Sequence, residues 1–315
     1  MEEPRQNSLA ITVIIAVRNE ERNLRECLCS LKGMDQVFVV DSHSTDRTSE
    51  VATELGAEVV QFEYDGGWPK KRNWALRELP IRNDWVLILD ADERVVDSLF
   101  VEMAHVIQQS DVIGFYIRWK YMFWGRWMRH CWSHGWMLRL FRHGAAEYED
   151  LQLSGGEGWD AEVHENIVAD GPCTKLKGYL LHESNQDLSY WIDKQNQFST
   201  WNAARRFEQL RTPMPPLSYL FSSNPDKKRR WMKSVFIRLP GKPTLMFIWL
   251  WFFKLGFLDG KAGFYFCRLR AMHELVICAK MQELNLSQDG ASRKENAAKP
   301  APVHTEESVD PGRTR

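Results

Sequence analysis

Residues Trp85 to Asp92 read W-V-L-I-L-D-A-D. Five consecutive apolar residues, rich in β-formers, predict a strand buried on both faces. Two carboxylates, Asp90 and Asp92, follow at once. On a strand leaving a sheet, residues i and i+2 project to the same side. Two anions held together at that end repel unless a cation sits between them, which is how divalent ions and the phosphates they carry are held. A solvated turn would show the same D-x-D letters. The apolar run in front of it points instead to metal and phosphate at a strand end.

The flanking sequence repeats the pattern. Ile11–Val17, Val37–Val40 and Ala57–Phe62 read as strands, and Trp85–Leu89 as the fourth. Asn19 is placed to cap the first helix, whose Leu24, Leu28 and Leu31 share a face. Ser49–Leu55 and Lys70–Leu79 read as the next two helices. This alternation predicts an α/β fold with a doubly wound, Rossmann-like, mostly parallel sheet and ligands at its carboxyl edge. Further strands are expected at Ile113–Trp119, Met137–Phe141, Glu162–Val168 and Lys175–Leu181. A loop is expected over Glu147–Gly158, and a long helix over Asp187–Leu210.

Neither G-x-G-x-x-G nor G-x-x-x-x-G-K-[ST] is present, which disfavours a dinucleotide fold and excludes a P-loop. The net charge of -1 gives no sign of nucleic acid as a partner. Six cysteines without a C-x-x-C pair argue against a zinc site or disulfide framework and for a reducing cytosol. Met1–Leu9 is too polar for a signal peptide.

The C-terminal third changes character. Lys227, Lys228, Arg229, Arg230, Lys233, Arg238 and Lys242 form a basic stretch, and Leu245–Phe253 is a run of nine apolar residues. The run is shorter than the roughly 20 residues a spanning helix needs. It suits a helix lying in an anionic membrane interface, although a core helix would look similar. From Glu283 the chain is polar and is expected to be disordered.

The loops after the first two strands, Arg18-Asn19-Glu20 and Asp41-Ser42-His43-Ser44-Thr45-Asp46, open toward the same crevice as Asp90 and Asp92. Their carboxylates can accept from ribose hydroxyls or a pyrimidine N–H, while Ser44, Thr45 and Asp46 can equally cap a helix.

The set A-V-R-N-E-E, V-D-S-H-S-T-D-R-T, K-R-N-W-A-L and L-D-A-D, in this order over residues 11–97, resembles inverting family-2 glycosyltransferases of the GT-A fold. V-H-E at Val163–Glu165, L-L-H at Leu180–His182 and K-L-G-F-L-D-G at Lys254–Gly260 resemble the branch that builds lipopolysaccharide core and exopolysaccharide. The resemblance implies a nucleotide-sugar donor contacted by Arg18, Glu20, Asp41, Arg72 and Asp90. It implies Mg²⁺ or Mn²⁺ on Asp92, with His182 completing the shell unless it is a core histidine. The family often has an aromatic residue at Arg18 and an aspartate at Ser42, so Arg18 would stack its guanidinium in place of a ring.

Inverting transfer also needs a base for the acceptor hydroxyl. Asp160, Glu162, His164 and Glu165 are candidates; the V-H-E likeness favours Glu165, with Asp160 next. Trp124, Trp127, Trp132 and Trp136 could form a sugar platform or a packed core. Arg126, Arg129 and Arg139 among them suggest an anionic acceptor. The expected organisation is a nucleotide-sugar half over 1–97, an acceptor half of the same domain over 98–210, a membrane-proximal helical region over 211–282 and a tail over 283–315. The function expected is sugar transfer to a lipid-linked or lipopolysaccharide-core saccharide, peripheral on the cytoplasmic face of the inner membrane. A polyprenyl-phosphate sugar synthase, a nucleotidyltransferase and a non-catalytic nucleotide-sugar scaffold are the rivals.

Overall fold

The computed structural model describes residues 8–64, 69–109, 111–132, 135–149, 167–183 and 187–298. The first run forms β1 (Leu9–Val17), with Ile11, Val13, Ile14 and Ile15 fully buried. The expected alternation follows as α1 (Glu21–Cys29), β2 (Met34–Asp41), α2 (Thr48–Glu54), β3 (Glu58–Gln61), α3 (Lys71–Glu78) and β4 (Trp85–Asp90). Then come β5 (Glu93–Val95), α4 (Asp97–Gln109), β6 (Gly114–Phe123), β7 (Arg126–Trp127) and β8 (Trp136–Arg142). β9 (Ala146–Tyr148), β10 (Ile167–Ala169) and β11 (Cys173–His182) complete the strands. β9 lies where a loop was expected, because Ala146 and Tyr148 alternate into the core while Glu147 points out.

The main sheet has the order β3-β2-β1-β4-β8-β6-β11-β5, with β7 attached to β6. β1 pairs in parallel with both β2 and β4, and β2 with β3. β8 is antiparallel to both neighbours, so β6, and β11 parallel to it, run in the same direction as β1 to β4. The sheet is therefore mostly parallel.

Each inner strand serves two cores, as the unbroken apolar runs predict. Ile11, Val13, Ile15, Leu87 and Leu89 gather on one side with Leu24 and Leu28 of α1 and Leu99 and Met103 of α4. Ile14, Phe38, Val86 and Ile88 gather on the other with Ala75 and Leu76 of α3. Helices on both faces thus hold β4 rigid, and its carboxyl end delivers Asp90 and Asp92 to a fixed place.

The chain divides into two compact units, one of Met1–Gln197 with Gly241–Glu274, the other of Phe198–Pro240 with Leu275–Arg315. The region expected as one block over 211–282 is therefore shared between them. α5 (Leu188–Arg211) begins in the first unit and ends in the second. α6 (Pro225–Arg238) carries most of the basic stretch and belongs to the second unit. There Ala203, Ile277 and Met281 form a small core, and Arg238 donates to the carbonyl of Thr212 at 2.8 Å.

The apolar run Leu245–Phe253 belongs to the first unit and is not one regular helix. α7 (Lys242–Ile248) passes into a π-helical turn over Trp249–Phe253, then a 3-10 turn over Gly256–Asp259. α8 (Gly260–Ala298) follows and continues past the point where disorder was expected at 283, carried by good helix formers such as Glu283, Leu284 and Leu286. Two glycines make the return possible. A Cβ on Gly256 would lie 2.7 Å from the Leu250 carbonyl oxygen, and one on Gly263 would lie 2.4 Å from that of Gly256.

Leu87, fully buried at the centre of β4, has no room to be replaced by a smaller side chain without leaving a cavity. Leu87→Ala should cost about 2–5 kcal/mol, read as a lower urea midpoint at unchanged slope.

Candidate active site

The strand register brings the carboxylates to one edge. Val17 of β1 pairs with Asp41, and Ala16 with Asp90. Asp41 is buried, and its carboxylate accepts from Ser44 Oγ at 2.5 Å, Ser49 Oγ at 2.6 Å and Gln61 Nε2 at 3.2 Å. Burial pushes this carboxyl up, but the bonds from Ser44, Ser49 and Gln61 outweigh it and hold it below its ordinary value. Its acceptor capacity is spent on the protein, so Asp41 shapes the loop around it.

The loops after β1 and β2 are stitched together in both directions. The Asn19 N–H donates to Ser44 Oγ at 2.9 Å, and the Thr45 N–H donates to Asn19 Oδ1 at 2.8 Å. The Glu20 N–H donates to Thr48 Oγ1 at 2.8 Å, and the Arg47 N–H to Glu21 Oε2 at 3.0 Å. Asn19 does not cap α1 as expected. It takes a left-handed conformation with φ of 56° and turns its side chain to the neighbouring loop, a conformation asparagine tolerates better than most residues.

Asp90 lies between two guanidinium groups. One carboxylate oxygen pairs with Arg72 Nη2 and the other with Arg139 Nη2 at 2.9 Å. Arg139 Nη2 also reaches Glu93 Oε1 at 2.8 Å, and Glu93 Oε2 accepts the Asp90 N–H at 2.9 Å. Burial raises the Asp90 carboxyl, yet Arg139 and Arg72 win and hold it well below its ordinary value. Burial pushes Glu93 from 4.5 up to about 8, opposed by Arg139 and assisted by Asp90. Arg139 is 2% exposed and sits over the Trp119 ring. It is a buried partner of Asp90 and Glu93, which corrects its reading as an acceptor contact. A charged residue between Leu138 and Leu140 in a buried strand was the available signal, since a buried charge requires a partner. Glu93, next to D-A-D in the sequence, was passed over.

Asp92 and His182, expected to share a metal, do come together. His182 Nε2 lies 3.6 Å from Asp92 Oδ2, and each side chain is 17% exposed. That separation is too long for a hydrogen bond and fits two donors on one ion with bonds of about 2.0–2.2 Å. The His182 ring stacks on Tyr121 at 5.1 Å and tilts against Trp119 at 5.2 Å, and its buried Nδ1 lacks a hydrogen-bond partner among the described residues. No group of three or more His, Cys, Asp or Glu able to hold an ion occurs among the described residues. A two-donor set suits an ion that takes its remaining ligands from substrate phosphates and water.

Glu20 is held by α5. Its carboxylate accepts from Lys194 Nζ at 3.1 Å and from Asn23 Nδ2 at 2.7 Å, and Tyr190 Oη lies 3.5 Å away. Burial lowers the Lys194 ammonium, but Glu20 and Asp92 raise it more, so it stays charged. Burial, reinforced by Asp92, pushes Tyr121 up to about 12. Lys194 and Tyr190 lie four residues apart on one helix face, a polar pair that the apolar spacing of α5 does not reveal. Arg18 is exposed at the rim. Asp160, Glu162, His164 and Glu165 lie outside the described residues.

The four tryptophans do not form one platform. Trp132 packs on Phe266 at 5.4 Å, Trp124 stacks on Phe123 at 4.8 Å, and Trp127 carries Lys120 and Arg129 on its ring. Trp136, on β8, meets Arg118 and Lys175. Asp259 of K-L-G-F-L-D-G organises this segment, because its buried carboxylate accepts the N–H groups of Arg129, His130 and Cys131 at 3.2, 3.1 and 2.9 Å.

Carboxylates gathered at the carboxyl edge of a mostly parallel sheet, with an aspartate–histidine pair among them, are the arrangement that nucleotide-binding α/β domains use for phosphate chemistry. Residues 12–156 match the family described as Glycosyl transferase family 2. The match marks these residues, just under half of the chain, as a family-2 glycosyltransferase domain. The chain is 28% identical over 234 residues to the lipopolysaccharide core biosynthesis glycosyltransferase LpsC of Rhizobium meliloti, covering 67% of this chain and 80% of LpsC. An uncharacterized glycosyltransferase of Rickettsia typhi is 24% identical and is matched over 91% of both chains. The crystal structure of S. aureus TarS 1-349 with UDP-GlcNAc aligns at a TM-score of 0.41 with 15% identity, covering 88% of this chain and 92% of that one.

Two stability effects follow from the ion cluster. Arg139→Met takes from buried Glu93 and half-buried Asp90 the guanidinium they share and should cost about 3–5 kcal/mol. The raised Glu93 contributes stability fully present below its ordinary 4.5 and lost as pH rises through about 8. Glu93→Gln should therefore flatten the alkaline decline of Tm in a pH series followed by circular dichroism. The depressed Asp41 and Asp90 act on the other limb, their contribution being present above the ordinary carboxylate value and lost as pH falls below it.

Proposed function

We propose that the protein is a glycosyltransferase that moves one sugar, with inversion, from a nucleoside-diphosphate donor, UDP-linked in our reading, to a lipid-anchored saccharide. The reading places it in lipopolysaccharide-core or exopolysaccharide assembly, peripheral on the cytoplasmic face of the membrane. The observation that carries the donor chemistry is the pair Asp92 and His182, 3.6 Å apart at the carboxyl end of the sheet. The likeness to LpsC supports the acceptor class.

In this reading Asp92 and His182 hold Mg²⁺ or Mn²⁺. When bound, the ion supplies positive charge against the departing diphosphate. The other parts position and balance. Asp41 fixes the Ser42–Asp46 loop under the nucleoside, and Glu20 is set by Lys194 and Asn23 beside it. Arg18 stacks at the rim. Arg72 and Arg139 neutralise Asp90 so that Asp92 stands as the free anion of D-A-D. Half-buried, charged Lys194 adds a cation to the same crevice. Displacement at the anomeric carbon also needs a carboxylate to take the acceptor proton. We assign this to Glu165, with Asp160 as the second choice.

Thermal shift with a panel of nucleotide sugars, with and without Mn²⁺, tests the donor and ion, since a ligand bound only by the folded state raises its stability with affinity. A UDP-sugar should raise Tm only with the metal present, and Asp92→Asn should abolish that rise together with transfer. An unchanged metal-dependent shift in Asp92→Asn would end the assignment. Glu165→Gln should lower kcat by about 10²–10⁴ while leaving the donor shift intact. If that loss appears in Asp160→Asn instead, the base is Asp160. Product analysis with polyprenyl phosphate against a core oligosaccharide separates the two acceptor readings.

A further inference from the structure

Within the first unit, the segment Gly241–Glu274 exposes an apolar surface that the sheet does not use. Trp249 is 51% exposed, Phe252 58% and Phe253 70%, while Leu255, Phe257 and Leu258 range from 44 to 49%. Folding does not need these side chains outside. The same segment buries Leu250, Ala262, Phe266 and Cys267 against Phe123, Met128 and Cys131. The π-helical turn sets two faces apart, turning Leu250 in and Phe252 and Phe253 out. A cluster of aromatic rings this open in water marks a contact surface.

Charge identifies the contact. The segment holds two acidic residues, Asp259 and Glu274, and each is 2% exposed. Lys254, Lys261 and Arg268 are exposed. Every exposed charge on this segment is therefore positive, and Arg268 lies over the Phe247 and Phe264 rings. A two-fold contact between copies would set lysines against lysines with no acid on the face to meet them. Aromatic rings rimmed by lysine and arginine match an anionic bilayer interface, where rings sit at headgroup depth and cationic stems reach outward. No helix among the described residues is long and apolar enough to cross a membrane.

We infer that the exposed face of Trp249–Leu258, with Lys254 and Lys261, docks the chain on an anionic phospholipid bilayer. The choice of a bilayer over a protein partner rests in part on the lipid-anchored acceptor proposed above. The Tyr121 side chain joins this segment to the catalytic crevice. The Tyr121 ring has His182 at 5.1 Å and Phe266 of α8 at 5.5 Å. Docking thereby orients His182 and Asp92 with respect to the leaflet that presents the acceptor.

The test is flotation of the full chain with phosphatidylcholine vesicles, with and without about one-third phosphatidylglycerol, in the absence of donor and acceptor. The chain should float with the anionic vesicles and lose that binding in high salt. A variant carrying Phe252→Ser and Phe253→Ser should bind about tenfold or more weakly to them. A variant carrying Lys254→Glu and Lys261→Glu should lose about tenfold on anionic vesicles and nothing on neutral ones. Both variants should keep the thermal melt and the donor-induced shift, because these side chains are exposed. No flotation of the wild type, or flotation of the Phe variant equal to wild type, overturns the inference. So does a lipid-free dimer in sedimentation velocity that the Phe variant abolishes. Because no sugar is present, failure here leaves the donor chemistry standing, and failure of transfer assays leaves the docking result standing.

Discussion

Arg139 is the interaction on which the crevice depends. A guanidinium with 2% exposure joins Asp90 at the end of β4 to Glu93 on β5, from a position in β8 between them. Three strands that pair with different directions are tied by one cation. The arrangement is costly to desolvate, and a well-packed apolar set could be as stable. What it provides is a fixed electrostatic division within D-A-D. One aspartate is compensated by two arginines, and the next, two residues on, faces His182 with its charge available for a ligand.

Much of this was legible in the sequence. The unbroken apolar runs of β1, β2 and β4 could be buried only in a sheet covered on both faces, and the parallel alternation put Glu20, Asp41, Asp90 and Asp92 at one edge. The Asp92–His182 approach came from a family likeness, since nothing in the spacing of residues 92 and 182 predicts that β5 and β11 pair and set His182 opposite Glu93. Long-range register is what a single sequence hides. The same limit explains Arg139, whose flanking tryptophans suggested a surface role while its strand neighbours Leu138 and Leu140 called for a buried one. It also explains Lys194 and Tyr190, which reach Glu20 from 170 or more positions along the chain.

The C-terminal region is built from more than one part. The basic residues Lys227–Arg238 and the apolar run are close in sequence but fall in different compact units, while Lys242 shares the unit of the run. The cations that accompany the exposed aromatic rings are Lys254, Lys261 and Arg268, interleaved with the rings themselves. The K-L-G-F-L-D-G motif, read first as a family signature, has a physical content of its own. Its first glycine admits the Leu250 carbonyl, and its aspartate gathers three backbone N–H groups of the 129–131 turn.

The reciprocal bonds between the loops after β1 and β2 carry one more consequence. Asn19 and Glu20 depend on Ser44, Thr45 and Thr48, and Arg47 depends in return on Glu21. The two loops are therefore a single mechanical part assembled from distant stretches of sequence. Evolution or an engineer seeking to reshape this edge of the sheet would have to exchange both loops together, because either one grafted alone would arrive without the hydrogen-bond partners that give it shape.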